Sequence, residues 1–561
     1  MRNTMTLRGG KPDLASLLGR IRAIAHPPVQ ITPLPPGIRV EKDVMVPLRD
    51  GVHLAVNVYR PEIPGRYPVV MCAHPYGKDQ LPRKTPFGYS PPFTYRLMRQ
   101  TGPVRFSDQT GWEAPDPARW VPRGYVVVNA DLRGFFRSEG APGHLMSDQE
   151  AQDYYDLIEW AAAQPWSDGN IGLNGVSYLA IAQWKVAALS PPHLKAICAW
   201  EGLSDIYKDL MYPGGIREDG FTALWGRQVK SGVDLRDEQL RRPTRDEWFR
   251  SLVPELEKIT VPALICGSFS DQSLHTRGSF RAFERISSRY KWLYTHRSGK
   301  WATYYGEDAL GWQFRFFDCF LKGRDNGMKE LPAVRLAVHD TRTEFVVRAE
   351  PAWPLERTRW TALYLDASSG QLRLDEPEAS SAASFDAPKG ELQFSWAAPW
   401  DLELTGPMRL VVYVSVEQTD DLHLFAGVRK IRGGRHVTFE GSYGFAYDLV
   451  TKGWLKASLR AVNEELSRPG QPEHDFDAPQ PLKPGEVVEL QVALLPSATF
   501  FKRGDILRLD LRGSWFFAAN PLAGAGPSAY QESPPGTCVV HTGAGRRSHL
   551  LVPLVAPSDG R

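Results

Sequence analysis

The stretch that most constrains the fold of this chain is a serine between an apolar run and a helical run. Residues 171–173 are apolar and predict a buried strand, and residues 180–189 have the length and composition of a helix. The tetrapeptide GVSY at 175–178 joins them. A serine at such a corner presents its hydroxyl at the sheet edge, where the N–H of Tyr178 points as well. Ser177 is therefore a candidate nucleophile, although a leucine takes the last position of the simple G-x-S-x-G pattern.

Length and composition predict a globular protein of two or three domains. The chain has 561 residues, more than one hydrophobic core usually supports, and its 42% hydrophobic and 23% charged residues are ordinary for a globular protein. The net charge of +3 is small, and no basic stripe with interleaved aromatic residues stands out, so a nucleic-acid partner is not expected. The five cysteines are scattered and odd in number, which does not indicate a disulfide framework.

The N-terminal region predicts a helix rather than a targeting signal. Residues 1–12 lack the apolar segment of a secretory signal, and the chain has no run of eighteen apolar residues, so we expect a cytoplasmic protein without a membrane span. Apolar residues at helical spacing over 13–24 predict an amphipathic helix. Such a helix would dock on the body of the protein or on a second subunit, which makes a homo-oligomer a reasonable expectation.

The first 320 residues alternate between strand and helix patterns. Alternation over 40–46 and 53–58 around a turn at 49–51 predicts an antiparallel hairpin. Continuous apolar runs then predict buried parallel strands at 68–73, 125–130, 194–200, 261–267 and 292–295. Helical spacing follows or separates these runs at 149–163, 180–189 and 308–321. This order predicts an α/β fold with a mainly parallel, doubly wound sheet.

The predicted organisation has five parts, defined by changes in pattern. Charged residues with scattered large apolar ones over 202–258 indicate irregular helices inserted as a cap, and short alternating stretches beyond 357 indicate an all-β sandwich or jelly roll. The parts are 1–39 (N-terminal helix and linker), 40–201 (first part of the α/β core), 202–258 (helical cap), 259–356 (second part of the core) and 357–561 (β-sandwich). Residues 79–120 form a long irregular segment, which is typical of a pocket wall or a subunit contact.

Three side chains follow successive predicted strands in the order Ser177, Asp271, His296. Nucleophile, acid and histidine in this order are the arrangement of an α/β-hydrolase. In that arrangement the histidine takes the serine proton, and the aspartate orients the imidazole and stabilises its charge. Each residue also has an ordinary structural interpretation, since Asp271 could cap a helix that begins at Gln272 and His296 could bond to backbone. The order and the strand ends favour a catalytic triad.

A triad of this kind also needs donors for the developing oxyanion. The backbone N–H of Tyr178 is one candidate, because it directly follows the nucleophile. The hydroxyl of Tyr76, in the polar cluster that follows the strand at 68–73, is the second. The loss of one such donor typically costs about 3 kcal/mol of transition-state stabilisation.

Four motifs resemble the family of serine hydrolases that contains cocaine esterase and the X-prolyl dipeptidyl peptidases. They are AHPYGK at 73–78, DLRGFFRSEG at 131–140, QPWSDGNIG at 164–172 and GVSY at 175–178. The resemblance extends over about 40–555 and implies an α/β-hydrolase core, a helical cap and a C-terminal jelly roll. It also implies that Ser177 is the nucleophile, that Tyr76 completes the oxyanion hole and that Asp271 supports the histidine.

Two positions depart from that family. Ala180 stands where the family usually has glycine, which would tighten the helix after the nucleophile. In the histidine loop, the family's Gly-Pro-Trp-x-His pattern is replaced by HRSGKW at 296–301, so that the family's catalytic histidine falls on Lys300. A lysine can serve as base only when its pKa is lowered by several units, whereas a histidine needs no such shift. We therefore predict His296 as the base and Lys300 as a residue that supports the site or contacts the substrate.

The leading hypothesis is a serine hydrolase that cleaves an ester or small amide of a small-molecule substrate through an acyl-enzyme. The alternatives are an X-prolyl-type aminopeptidase, an acyltransferase that uses the same triad, and a non-catalytic scaffold with the hydrolase fold. Acidic residues that could bind a substrate amine are Glu201, Asp205, Glu218 and Asp219. No cofactor or metal is expected, because the chain lacks a G-x-G-x-x-G after the first parallel strand and a helical histidine pair with a glutamate.

Overall fold

The structure is a computed structural model that describes residues 24–86, 88–98, 100, 102–441, 447–517 and 528–556. All but the last residue of the helix predicted over 13–24 lies outside the described residues. Strands and helices alternate up to about residue 322, and strands predominate from there to the C-terminus.

The strands of the first 350 residues form one large sheet with two small additions. They are β1 Val29–Thr32, β2 Ile38–Pro47, β3 His53–Pro61, β4 Tyr67–His74, β5 Arg83–Thr85, β6 Gly88–Ser90, β7 Val104–Ser107, β8 Val126–Asp131, β9 Ser167–Val176, β10 Leu194–Trp200, β11 Ala263–Ser268, β12 Lys291–His296, β13 Val334–His339 and β14 Phe345–Glu350. The order in the large sheet is β2-β3-β8-β4-β9-β10-β11-β12-β13-β14. The pairs from β8 through β13 are parallel, as the continuous apolar runs predicted.

The helices are short in the middle of the chain and long where they pack on the sheet. They are α1 Phe93–Leu97, α2 Pro117–Trp120, α3 Asp148–Ala162, α4 Tyr178–Ala188, α5 Phe221–Gln228, α6 Leu235–Arg241, α7 Glu247–Ser251, α8 Thr276–Arg285, α9 Lys300–Tyr304 and α10 Glu307–Lys322. Helices α3 and α4 contact each other and β9, and Phe317 of α10 lies over Gly172 of β9. The irregular helices predicted for 202–258 are observed as a π-helical turn at Tyr207–Met211, α5 to α7, and 3-10 turns at Pro213–Gly215 and Leu256–Lys258.

The C-terminal region is rich in antiparallel strands. They are β15 Thr358–Asp366, β16 Gln371–Arg373, β17 Ser381–Ala387, β18 Glu391–Ala397, β19 Leu402–Glu417, β20 His423–Arg432, β21 Arg435–Val437, β22 Phe439–Glu440, β23 Tyr447–Asp448, β24 Thr451–Lys456, β25 Val488–Phe501, β26 Ile506–Arg512, β27 Gly536–Thr542 and β28 His549–Val555. The long strand β19 pairs with β25 along one edge and with β27 and β28 along the other. The backbone of β25 pairs with β13 at Thr499 and His339, which ties this region to the large sheet.

None of the described helices combines the length and the hydrophobicity that crossing a lipid bilayer requires.

Candidate active site

Ser177 occupies a strained corner between β9 and α4. Its backbone has φ 59° and ψ −116°, outside the region that a residue with a side chain prefers. Gly175 approaches so closely that a Cβ there would lie 2.4 Å from the Cβ of Leu179, so the corner requires glycine at 175. Ala180 is accommodated because the residue opposite its methyl group is Gly202, where an added Cβ would lie only 2.9 Å away. The sequence therefore forms the sharp strand-to-helix turn that exposes a nucleophile.

The turn after β11 carries both an acid and a histidine. The carbonyl oxygen of Asp271 accepts hydrogen bonds from the backbone N–H groups of Leu274, His275 and Thr276 at 3.1–3.2 Å. This tight turn precedes α8, which begins at Thr276. Because Asp271 and His275 are four residues apart in a helix-like turn, their side chains lie on the same side. Both are buried.

A line of hydrogen bonds connects Ser177 to Asp271 through His275. Ser177 Oγ lies 3.1 Å from His275 Nε2, and His275 Nδ1 lies 2.5 Å from Asp271 Oδ2. An imidazole that donates from Nδ1 to the carboxylate has Nε2 available to accept the serine proton. The structure thus brings Ser177 and Asp271 together as the sequence predicted, but through a histidine that the sequence analysis did not consider.

His296 lies elsewhere, so its predicted place beside Ser177 is wrong. Its Nε2 lies 2.9 Å from Glu201 Oε1, and its Nδ1 accepts a hydrogen bond from the N–H of Ser298 at 3.2 Å. His296 is the last residue of β12 and pairs in register with Ser268, the last residue of β11. Its side chain therefore stays at the level of the strands, whereas Asp271 lies three residues past the end of β11.

Lys300 lies next to the acid. Its Nζ is 2.9 Å from Asp271 Oδ2, 3.0 Å from His275 Nδ1 and 4.0 Å from Glu201 Oε2. Burial alone would lower the pKa of the Lys300 ammonium, but the carboxylates of Asp271 and Glu201 outweigh this effect and raise it above its ordinary value. Lys300 is consequently a charged donor to Asp271 and does not have the lowered pKa that a base would need.

The charge of Lys300 also acts on its two neighbours. Burial and the Lys300 ammonium lower the pKa of the His275 imidazole, against the opposite influence of Asp271. Burial would raise the pKa of the Asp271 carboxyl, but Lys300 and His275 outweigh it and hold that pKa well below its usual range. The acid is thus kept ionised and the histidine is kept neutral down to a lower pH than usual.

The two predicted oxyanion donors, Tyr178 and Tyr76, both lie next to Ser177. Tyr178 is the first residue of α4, and its phenol is engaged elsewhere, donating to Glu150 Oε2 at 2.6 Å. The hydroxyl of Tyr76 accepts a hydrogen bond from Trp225 Nε1 at 3.3 Å, which leaves its own proton for another acceptor. Burial and the nearby Glu113 raise the pKa of the Tyr76 phenol, against a hydrogen bond with Ser177. Tyr76 is therefore a protonated donor near the nucleophile.

A cavity of about 600 Å³ includes Ser177 in its wall. Tyr76, Glu113, Trp225 and Trp301 also line it. Much of the remaining wall comes from residues 80–98 and from Trp112, within the long irregular segment that the sequence analysis singled out. Aromatic residues and polar or charged residues line the cavity in similar numbers, and the charged ones are Arg83, Arg96 and Glu113.

One group of side chains has the donor types of a metal site. Glu201, Cys266 and His296 place three potential ligand atoms within 4.8 Å of one another. The carboxylate of Glu201 already bonds to His296, and the ammonium of Lys300 beside it repels a cation. Burial raises the pKa of the Cys266 thiol, which disfavours the thiolate that a metal needs. These residues fit a hydrogen-bonded support for the acid turn better than a metal centre.

Two residues of the site escaped sequence analysis. His275 carried a usable signal, since it stands four residues after the predicted acid, at the spacing that joins two side chains on one side of a helical turn. Glu113 carried none, because it lies in a segment without periodicity. It is brought to the nucleophile by a hydrogen bond from the N–H of Val176 to its carbonyl oxygen at 3.2 Å.

The fold and the site together define an α/β-hydrolase with a serine nucleophile. A family model described as X-Pro dipeptidyl-peptidase (S15 family) matches residues 50–250, and a model of the X-Pro dipeptidyl-peptidase C-terminal non-catalytic domain matches residues 326–551. A solved structure of a CocE/NonD family hydrolase from Staphylococcus aureus is 36% identical, covers 95% of this chain and 100% of its own, and superposes with a TM-score of 0.88. The chain belongs to the CocE/NonD family of hydrolases.

More distant relatives resemble this chain in part of the sequence or in the fold. Cocaine esterase from Rhodococcus sp. is 28% identical over 393 residues, which are 59% of this chain and 62% of the esterase. The match thus spans somewhat less than two thirds of that relative's length. An aminopeptidase from a marine-sediment thaumarchaeon is 16% identical, covers 94% of this chain and 98% of its own, and shares the fold with a TM-score of 0.70. Relatives of this family are named as esterases and as X-Pro dipeptidyl peptidases, which are serine hydrolases of ester or amide bonds.

Proposed function

We propose that the protein hydrolyses an ester or a small amide through an acyl-enzyme on Ser177, with His275 as the base and Asp271 as its partner. The observation that carries this proposal is the contact of 3.1 Å between Ser177 Oγ and His275 Nε2, continued at 2.5 Å to Asp271. Geometry of this kind, rather than position in the sequence, is what identifies a serine triad.

The reaction follows from the positions of these atoms. As Ser177 Oγ attacks the substrate carbonyl, its proton passes to Nε2 of His275, and Asp271 stabilises the imidazolium that forms. The imidazolium then gives the proton to the leaving alcohol or amine, which leaves an acyl group on Oγ. A water molecule activated by the same Nε2 releases the acid and restores the serine.

The negative charge on the carbonyl oxygen needs donors close to Ser177. We assign the backbone N–H of Tyr178 and the phenol of Tyr76 to this role. Tyr178 supports the assignment because it follows the nucleophile at the start of α4, where backbone N–H groups and the helix dipole favour negative charge. Tyr76 supports it because its hydroxyl receives a hydrogen bond from Trp225 and so directs its own proton away from that ring.

Lys300 has a supporting role in this scheme. Its ammonium contacts Asp271 Oδ2 at 2.9 Å, the same carboxylate oxygen that His275 Nδ1 contacts, and together with burial it lowers the pKa of the His275 imidazole. A low pKa keeps the base neutral and ready to accept a proton in mildly acidic solution. The contact between Lys300 and Asp271 also gives Lys300 a role at the position where the family resemblance places the catalytic histidine.

The other parts of the molecule complete the proposal. We propose that helices α5 to α7 act as a cap, because Trp225 of α5 contacts Tyr76 in the wall of the cavity. The C-terminal strands are proposed to form a jelly roll, in keeping with the antiparallel pairing of β19 along both edges. The five domain boundaries and a homo-oligomeric state stay predictions.

The test is covalent labelling combined with product analysis. The wild type is incubated with a fluorophosphonate and then with simple p-nitrophenyl esters, and intact mass and released acid are measured. We expect one label per chain, none on Ser177→Ala, and one equivalent of free acid per nitrophenol. Folded wild type that takes no label and turns over no ester would contradict the proposal and favour a scaffold. Transfer of the acyl group to added alcohols or amines in place of water would indicate an acyltransferase.

A further inference from the structure

A second cavity, of about 540 Å³, lies between three regions of the chain. Helix α8 forms one wall, residues 204–257 of the predicted cap form another, and residues 407–496 of the C-terminal region form the third. The exposed residues Glu465 and Leu466 belong to the wall, so the cavity opens to solvent. None of the described residues lines both this cavity and that of Ser177. Its volume is within the range of pockets that hold small molecules.

The basic side chains of this wall are paired with carboxylates, with one exception. The wall carries six basic and six acidic residues, so its net charge favours neither a cation nor an anion. Five of the basic residues form ion pairs, and they are Lys208, Arg245, Arg281, Arg285 and Arg468. Arg277 forms no ion pair with any described residue. Its Nη1 donates to the carbonyl oxygen of Lys208 at 2.8 Å, and its Nε and Nη2 have no hydrogen-bond partner among the described residues.

The surroundings of Arg277 carry an excess of positive charge. The charged side chains with the largest influence on it are Asp209, Arg281 and Glu473. Asp209 is paired with Arg281 at 2.9 Å and Glu473 with Lys208 at 2.7 Å, so both carboxylates are already engaged. Burial lowers the pKa of the Arg277 guanidinium, because a charge that leaves water without a partner is costly. An anion in the cavity would offset this cost.

Two acidic residues of the wall also form no ion pair with described residues, but neither is paired with Arg277. Glu465 is exposed, so water solvates its charge. Asp475 accepts hydrogen bonds from the side-chain amide of Asn463 at 3.0 and 3.3 Å. Neither carboxylate is among the main influences on the pKa of Arg277. The unmatched charge inside this cavity is therefore the positive one.

Buried hydrogen-bonding groups of the same wall also favour an acceptor as the ligand. Arg281 Nη2 and Trp454 Nε1 are buried without a hydrogen-bond partner, and both atoms can only donate. His474 Nε2 is buried without a partner as well, and it donates or accepts according to its tautomer. In the described part of the wall, no buried carboxyl or hydroxyl oxygen lacks a partner. More donors than acceptors are therefore left to satisfy.

Apolar side chains line the cavity together with Arg277. The guanidinium carbon of Arg277 lies 5.9 Å from the ring centroid of Trp454, a buried residue of β24. Arg277, Phe280 and Arg281 are three and four residues apart on α8, so they share one face of that helix. Leucine and proline side chains at 494–496 complete the apolar part of the wall. An apolar group attached to the anion would be removed from water here.

We propose that this cavity binds a small monocarboxylate with an apolar tail, and that the carboxylate bonds to the guanidinium of Arg277. A guanidinium matches a carboxylate through two parallel hydrogen bonds, and the bond to Lys208 leaves Nε and Nη2 for them. A single unmatched positive charge suits one negative charge better than the two of a phosphate. The tail then lies against Trp454 and Phe280. This site does not depend on the proposed hydrolysis, since it is separate from the cavity of Ser177.

The experiment is calorimetric titration of the full-length protein with three compounds that share one tail. They are 4-phenylbutyrate, 4-phenylbutan-1-ol and 4-phenylbutylammonium. We expect the acid to bind about 10-fold or more tightly than the other two, and Arg277→Gln to abolish this difference. Arg277→Lys should bind the acid with intermediate affinity, because it keeps the charge but not the fork of donors. The matched control is Arg285→Gln, which removes a charge paired with Glu257 from the same wall and should leave the affinity unchanged.

Several outcomes would overturn the inference. They are equal affinities for the three compounds, unchanged binding of the acid by Arg277→Gln, and tighter binding of inorganic phosphate than of the acid. Loss of binding in Arg83→Gln instead would place the acid in the cavity of Ser177 and contradict the inference too. If Arg277→Gln does not fold, a crystal structure of the wild type with 4-phenylbutyrate decides. The carboxylate should lie within hydrogen-bond distance of Arg277, and an acid found elsewhere or not at all contradicts the inference.

Discussion

Two segments at the ends of neighbouring strands each carry a buried histidine bonded to a carboxylate, but only one of them reaches Ser177. Asp271 and His275 lie in the turn after β11, whereas His296 ends β12 and Lys300 begins α9, and in each case the two residues are four positions apart. Each histidine also bonds to a buried carboxylate, His275 to Asp271 and His296 to Glu201. Only His275 contacts Ser177. A buried histidine bonded to a carboxylate is thus not enough to identify a base.

The difference arises from where each turn leaves the sheet. Ser268 and His296 are paired in register at the ends of their strands, so His296 is still part of the sheet. Asp271 lies three residues beyond that level, and the turn that it organises carries His275 up to the start of α8. Lys300 begins α9 beyond the second strand and reaches back to Asp271. The acid is therefore shared by both turns, while the base belongs to the first.

The strongest test of this comparison replaces each histidine in turn. His275→Ala should lower kcat for a p-nitrophenyl ester by about 10⁴-fold, because removal of the base leaves only binding and the oxyanion donors. His296→Ala should lower kcat by less than about 10-fold, because His296 acts on Glu201 and not on Ser177. Both variants are assayed at equal concentrations of folded protein. A larger loss with His296→Ala would return the base to the second turn.

How much of the fold and of the site could be predicted depends on the kind of sequence pattern involved. Buried parallel strands are continuous apolar runs, so the strand predicted at 194–200 matches β10 residue for residue. His275 was missed because order along the chain directs attention to strand ends, whereas its position depends on a turn organised by the Asp271 carbonyl. The fit of Ala180 depends on Gly202, twenty-two residues later, which no local pattern reveals. Glu113 was missed because a segment without periodicity does not indicate which of its side chains face the site.

A second histidine at position 300 tests whether the two turns are interchangeable. The family resemblance places a histidine there, and Lys300 Nζ is already 2.9 Å from Asp271 Oδ2. In the His275→Ala background, Lys300→His should raise kcat/KM by about 10-fold or more, equivalent to about 1.4 kcal/mol. Lys300→Gln in the same background is the control without an imidazole. Equal rates for the two double variants would contradict the idea that position 300 can supply the base.

Removal of the Lys300 charge should move the acid limb of the pH profile. The base must be neutral, and burial and Lys300 together lower the pKa of His275, so the wild-type kcat/KM should fall only below about pH 6.5, the ordinary histidine value. Lys300→Met removes a positive charge, so the pKa of His275 rises and the acid limb shifts to higher pH. At pH 8, where His275 is neutral in both proteins, kcat/KM should differ by less than about 10-fold.

The control for this shift is Lys258→Met, which removes an exposed lysine paired with Glu255. It should leave the acid limb unchanged. If the limb moves to lower pH in Lys300→Met, or if all activity is lost at every pH, Lys300 takes part in proton transfer and the division between the two turns is wrong.

The smallest effect concerns the support that the second turn gives. His296 Nε2 bonds to Glu201 Oε1, a fully buried carboxylate, so His296→Ala leaves that oxygen without its partner. We expect a loss of about 1–3 kcal/mol in the stability of the region, measured as a lower midpoint of unfolding in urea. His296→Gln should recover part of this loss, because its side-chain amide can donate to the same oxygen. Neither variant removes the base. We therefore expect kcat per folded molecule to differ little between the two variants, although their midpoints of unfolding differ. Equal midpoints for the alanine and glutamine variants would mean that the shape of the imidazole, rather than its hydrogen bond, holds Glu201 beside Lys300.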